Sequence, residues 1–202
     1  MTKDLLTMKD RALSGDPIAA WQLANALIEG CYEHSSKGSV RCARNVRMGL
    51  LWLEYAANHG CAPAMLELGS KIIYNSLHGK RRIRMDNIKR GLGWEKKAWR
   101  HGEILAPINI AITYSFLSKP IRSFYWIEKA YVAYREVAML PLAKAYLFGF
   151  GVKANVEKAK KILRKLLCSK NVSLEDKNTA RSYLASLKSK RAIVTCSSIF
   201  TD

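Results

Sequence analysis

The chain is 202 residues long, with 34 Lys and Arg against 16 Asp and Glu, and its formal net charge is +18. Its 49% hydrophobic residues can fill a core, and one extended domain is enough at this length. The longest uncharged run, Ile104 to Ser118, falls short of the ~18 residues of a membrane span. Met1 to Asp10 carries charges and no continuous apolar stretch, so no secretory signal peptide is expected.

Apolar residues recur at spacings of three and four rather than in alternation, which predicts helices throughout. The first helix is expected over Lys3–Leu13, ending near Gly15. Asp16-Pro17 opens the next, Pro17–Glu29, because proline at the first helical position gives up an N–H that has no partner there. Gly30 to Asn45, rich in Ser, Gly and Arg, reads as a long turn before Val46–Asn58. A second pair, Ala62–Leu77 and Ile88–His101, encloses another enlarged turn, Asn75 to Asp86. Ile104–Leu117 and Pro120–Ala133 form a third pair with a very short turn. The fourth, Glu136–Phe148 and Val156–Cys168, is joined by Gly149-Phe150-Gly151-Val152, where glycine supplies the backbone freedom of a tight turn. A last helix is expected over Leu174–Lys188, with Ser173 as N-cap and Asp176 at capping-box spacing. The tail from Ser189 to Asp202 has no clear period.

A fixed spacing runs through these pairs. Trp52, Trp94 and Trp126 each lie twelve residues before an alanine: Ala64, Ala106 and Ala138. Ile162 takes the tryptophan position in the last copy. Seven residues before these anchors stand Asn45, Asn87, Lys119 and Asn155, and asparagine is a good N-cap. The three tryptophans are expected as core knobs between neighbouring helices, where truncation to alanine would cost roughly 3–5 kcal/mol.

The residues Ala138, Leu142, Tyr146, Gly149, Gly151, Val152, Lys158 and Ala159 carry the clearest copy of a repeat. Weaker copies hold Ala64, Leu68, Gly69, Trp94, Ala98 and Gly102, and Ala19, Leu23, Gly30, Trp52, Ala56, Ala57 and Gly60. This pattern resembles the Sel-one-like repeat family, relatives of the tetratricopeptide arrays, over about residues 5 to 185. The resemblance implies an all-α fold: a right-handed superhelical solenoid of antiparallel helix pairs. About four repeats would span residues 1–188 as one domain, between an N-terminal half-repeat and a C-terminal capping helix, with 189–202 as a tail. Terminal units of such a stack need a polar outer face.

No catalytic constellation is present, and no phosphate-cradling G-x-x-x-x-G-K-[ST] loop. Cys31, His34 and Cys42, with His59 and Cys61, contain no Cys-x-x-Cys pair, and a tetrahedral zinc site needs four converging ligands. No metal or cofactor is expected, and the thiols are expected to be free in a reducing cytoplasm.

Charge is what the repeat does not explain. Residues 78–100 hold Lys80, Arg81, Arg82, Arg84, Lys89, Arg90, Lys96, Lys97 and Arg100 against only Asp86 and Glu95. Further clusters are Lys153 to Lys170 and Arg41, Arg44 and Arg47. Loops inserted on a rigid scaffold are good places for binding residues. Lys80, Arg81, Arg82, Arg84, Lys89 and Arg90, with Trp99 beside them, are therefore the candidate partner-binding residues. Their partner is expected to be an acidic protein, held by charge complementarity. The family resemblance implies adaptor or scaffold roles, including secretion accessories, regulators and immunity proteins that neutralise a toxin. The alternative is RNA or DNA held through its phosphates.

Overall fold

A computed structural model describes residues 3–30, 32–35, 38–41, 44–78 and 84–188. Among them are ten helices and one short hairpin. The helices are α1 (Lys3–Leu13), α2 (Pro17–Glu29), α3 (Val46–Asn58), α4 (Ala62–His78), α5 (Met85–Arg100), α6 (Ala106–Phe116), α7 (Pro120–Ala133), α8 (Arg135–Phe148), α9 (Val156–Cys168) and α10 (Leu174–Lys188). The chain divides into two compact units, Met1–Glu103 and Ile104–Asp202. Within each, every helix packs on the next one in sequence, as expected where each repeat buries its apolar face on its neighbours. Among the described residues no helix is long and apolar enough to cross a membrane.

Local chemistry sets the helix starts. Asp16 Oδ1 accepts from the Ile18 and Ala19 N–H groups, at 2.9 and 3.1 Å. Asn45 Oδ1 accepts from Met48 N at 3.1 Å, Asn155 Oδ1 from Lys158 N at 2.8 Å, and Ser173 Oγ from Asp176 N at 3.0 Å. Each satisfies an N–H that the helix itself leaves unpaired. Asn87 does not cap, contrary to the repeat register. Its helix begins at Met85, and Asp86 in the first turn puts an acid at the positive end of the helix dipole. Lys119 contributes no side-chain cap either; there Pro120 opens the helix.

The turn after α2 is more than a turn. Strands β1 (Tyr32–Ser35) and β2 (Gly38–Arg41) pair antiparallel, Tyr32 opposite Arg41 and Ser35 opposite Gly38. The chain returns to α3 through Arg44, whose Nε donates to Ile28 O at 2.7 Å. That hydrogen bond ties the start of α3 back to the end of α2, while the exposed guanidinium keeps its charge in the third basic cluster.

The tryptophan anchors are not the core. Trp52, Trp94 and Trp126 are all half-buried. The position four residues after each is the sealed one: Ala56, Ala98 and Ala130 are each 0% exposed. So are Ala19, Ala64, Ala106 and Ala138 at the start of the first helix of each pair. Helices that approach closely leave room for a methyl group and none for an indole. Trp52 stands edge-on to Tyr55 and Trp126 edge-on to Tyr125, with Trp126 packed against the core from outside. In the second unit, Leu142, Ala143, Ala159, Leu163, Leu166 and Ala180 form the centre of the core, with Phe124 and Tyr146 edge-to-face at 5.6 Å.

Candidate functional site

Helix α5 presents a basic face in the first unit. Its buried face is Ile88, Gly91, Leu92, Glu95 and Ala98, which packs against α4. The opposite face presents Lys89, Arg90, Lys97 and Arg100, all exposed, around an exposed Gly93. Glu95, the second of the two acids in this stretch, is 1% exposed and accepts from Ser70 Oγ at 3.2 Å. Its carboxylate is turned into the α4–α5 contact rather than onto the exposed face. Asp86 remains, 3.6 Å from Lys89 Nζ in a pair open to water, which is weak for that reason. Lys97 Nζ also lies 4.4 Å from the centroid of the Trp94 ring.

Of the residues expected to bind a partner, Arg84, Lys89 and Arg90 are exposed at the start of this helix. Lys80, Arg81 and Arg82 lie outside the described residues. Trp99 is half-buried, and the helix turns it about 100° away from Arg100, off the basic face.

The second unit holds a feature of different character. A pocket of about 290 Å³ opens between α6, α7 and α8, lined by Ala111, Ile112, Phe116, Ile127, Leu140 and Pro141 among others. Lys144 and Asp176 supply its two charged groups. Ile112 and Phe116 are 48% and 53% exposed, so its mouth is apolar as well as its wall. Pro141 sits inside α8 and has no N–H to give to the carbonyl of Val137. Both residues line the pocket. Nothing in the sequence spacing marked this pocket, because its residues come from α6, α7, α8, the turn after α8 and α10, and its apolar ones follow the ordinary helical period.

The candidate metal ligands are dispersed or engaged. His59 stacks on Tyr55 with ring centroids 3.9 Å apart, and its Nδ1 is 2.8 Å from Tyr55 O. Cys61 is a buried free thiol, and burial pushes its pKa up. Cys31 and Cys42 lie outside the described residues, as does the side chain of His34.

Among solved structures, the chain is similar to a Sel1 repeat protein from Oxalobacter formigenes, with a TM-score of 0.68. The two share 20% identity over 92% of this chain and 69% of that one. The chain has the Sel1-like repeat fold. It is also similar to c5321, a protective antigen of uropathogenic Escherichia coli strains that displays the same fold. That match has a TM-score of 0.60 and 21% identity, and covers 80% of this chain and 32% of c5321. The chain thus spans about a third of the length of c5321. No protein-family model matches the sequence, and no curated protein matches it. In this Sel1-like fold α2–α3, α4–α5, α6–α7 and α8–α9 are the helix pairs; the basic face lies on the second pair and the apolar pocket on the third and fourth.

Proposed function

We propose that this chain is a non-catalytic module that binds a specific, acidic protein partner. The observation that carries the reading is the pocket between α6, α7 and α8. Its exposed Ile112 and Phe116 and its few polar groups suit an apolar side chain of a partner protein, and buried apolar anchors of that kind dominate interface energies. A phosphate backbone would find little there. The basic face of α5, with Arg84 and the neighbouring Lys80, Arg81 and Arg82, supports an acidic partner, since charge complementarity guides encounter and excludes wrong partners. In its narrower form the proposal is a dedicated binder: an immunity protein covering an acidic toxin domain, or a secretion or regulatory adaptor.

The test is affinity capture from a lysate of the source organism at low and high salt, reading protein and nucleic acid together. One stoichiometric protein, lost on Phe116→Glu, is the expected result. Heterogeneous RNA or DNA whose retention collapses steeply with salt, and which ignores Phe116→Glu, would overturn the reading in favour of phosphate binding.

A further inference from the structure

A second concavity of the second unit differs in chemistry from the apolar pocket. It is a groove of about 500 Å³ formed by α7, α8 and α9. One wall is a stripe of α7: Tyr125, Glu128, Lys129 and Val132, at the spacings of three and four that share a helix face. The other is a stripe of α9: Lys158, Lys161, Ile162 and Lys165. Leu142 and Tyr146 of α8, both buried, make the floor. Four lysines thus face one glutamate, and all four are exposed. Among the described residues no acid pairs with Lys129, Lys161 or Lys165; the ion pair of this helix is Lys160 with Glu157, at 2.8 Å. Val132 is 85% exposed at the lip, an apolar group with no cover.

We infer that this groove is a docking site for an extended, carboxylate-rich peptide segment of a protein partner. Charge complementarity is the first reason: the lysines offer donors to carboxylates, and hydrogen bonds between charged groups are the stronger kind. Spacing is the second. Lys161 and Lys165 are separated by a rise of about 6 Å along the helix, and alternate side chains of an extended peptide by about 6.6–6.8 Å. An acid-x-acid segment therefore meets both ammonium groups without bending. The third reason separates peptide from single-stranded nucleic acid, which also uses cations among aromatic rings. Here the rings already carry the protein's own cations: Lys129 lies 5.4 Å from the Tyr125 centroid, Arg135 5.7 Å from Tyr131 and Lys158 4.8 Å from Tyr146. Each of these rings has a cation over one face, which leaves less of it for a base to stack on. An apolar side chain of the peptide would cover Val132. The inference rests on the protein-binding reading but uses neither α5 nor the apolar pocket.

The experiment is fluorescence anisotropy on the full chain with a short labelled peptide of alternating glutamate and valine. A labelled oligothymidylate of equal formal charge is the competitor class. The peptide is expected to bind more tightly than the oligothymidylate. Lys161→Glu with Lys165→Glu, both at exposed positions, should weaken it at least about tenfold, the loss of one charged hydrogen bond. Lys9→Glu with Lys119→Glu, at exposed positions outside the groove and off α5, should leave it unchanged. No peptide binding, peptide binding indifferent to the α9 pair, or oligothymidylate binding at least as tightly would each overturn the inference. Such failures would leave Phe116-dependent capture of a partner untouched, so the two readings are separable.

Discussion

A Cβ placed on Gly91 would stand 2.7 Å from the carbonyl oxygen of Gly69, so α4 and α5 touch backbone to backbone at that point. The same contact recurs through the repeat. A Cβ on Gly49 would be 2.9 Å from Ala24 O, and in the third pair Ser123 Oγ donates to Ala111 O at 2.8 Å. Gly49, Gly91 and Ser123 each stand three residues before a tryptophan anchor. The small residue there sets how closely the two helices of a pair cross, and the serine turns the nearby carbonyl into a hydrogen-bond partner.

Gly91→Ala should therefore destabilise the first unit despite the better helix propensity of alanine. Its methyl group would also come within 2.5 Å of Ile73 Cγ1, so the crossing must open. Overpacking of this kind costs about 1–3 kcal/mol, against a propensity gain of about 1 kcal/mol. Urea denaturation should show a lower midpoint. Gly93→Ala, on the exposed side of the same helix with nothing near its Cβ, should raise the midpoint slightly. Equal effects at both positions would show that the crossing is not the determinant.

Tryptophan burial gives the second prediction. Leu53 is 0% exposed, whereas the adjoining Trp52 is half-buried. Leu53→Ala should cost about 2–5 kcal/mol, within the range of full core truncations. Trp52→Ala should cost less than Leu53→Ala, although it removes more atoms, because part of the indole already faces water. Paired chemical denaturation curves give the order directly. A larger loss at Trp52 would restore the indole to the core.

That reversal shows what the sequence holds and what it does not. The bounds of α1, α2, α3, α7, α9 and α10 follow from apolar period and from caps such as Asp16 and Asn155, which act within a few residues. Repetition marked Trp52, Trp94 and Trp126, but burial depends on how near the next helix lies, and that is set by Gly91 or Ala56 rather than by the largest side chain. Asn87 had the right spacing for a cap and lost to a helix that starts earlier at Met85. The pairing of β1 with β2 was hidden in a Ser- and Gly-rich stretch without alternation. The groove between α7, α8 and α9 was illegible for another reason. Its lysines and tyrosines lie on three helices, so Tyr125 and Lys161 are neighbours only after folding.

Acid should reveal the cap of α2. The Ala19 N–H and the Arg11 guanidinium, 2.6 Å from Oδ2, hold the Asp16 carboxyl below its ordinary value of 3.8. A folded-state pKa below the unfolded one means stability that is complete above the unfolded value and is lost as pH falls through the folded one. Asp16→Asn keeps an N-capping acceptor and gives up the charge. The variant should be less stable at neutral pH, and the gap should close as pH falls below the ordinary value of 3.8. Urea midpoints of both proteins across that range test it; a gap that widens on acidification would reverse the assignment. The gap should also shrink with salt, since the Arg11 pair is open to water.

Charge reversal on α5 separates steering from anchoring. Lys89 and Arg90 are exposed on a face whose one surface acid is Asp86, so they act on an approaching partner at a distance. Exposed interface charges change association rate and salt dependence more than dissociation rate. With the captured partner in hand, Lys89→Glu with Arg90→Glu should slow association by about tenfold or more at low salt and converge on wild type as salt rises. Phe116→Ala should do the opposite, speeding dissociation with little effect of salt, because it removes an apolar anchor without adding a charge. Surface plasmon resonance at two ionic strengths resolves both. If the α5 variant changed dissociation alone, its cations would be in the bound contact itself, and the steering role would be excluded.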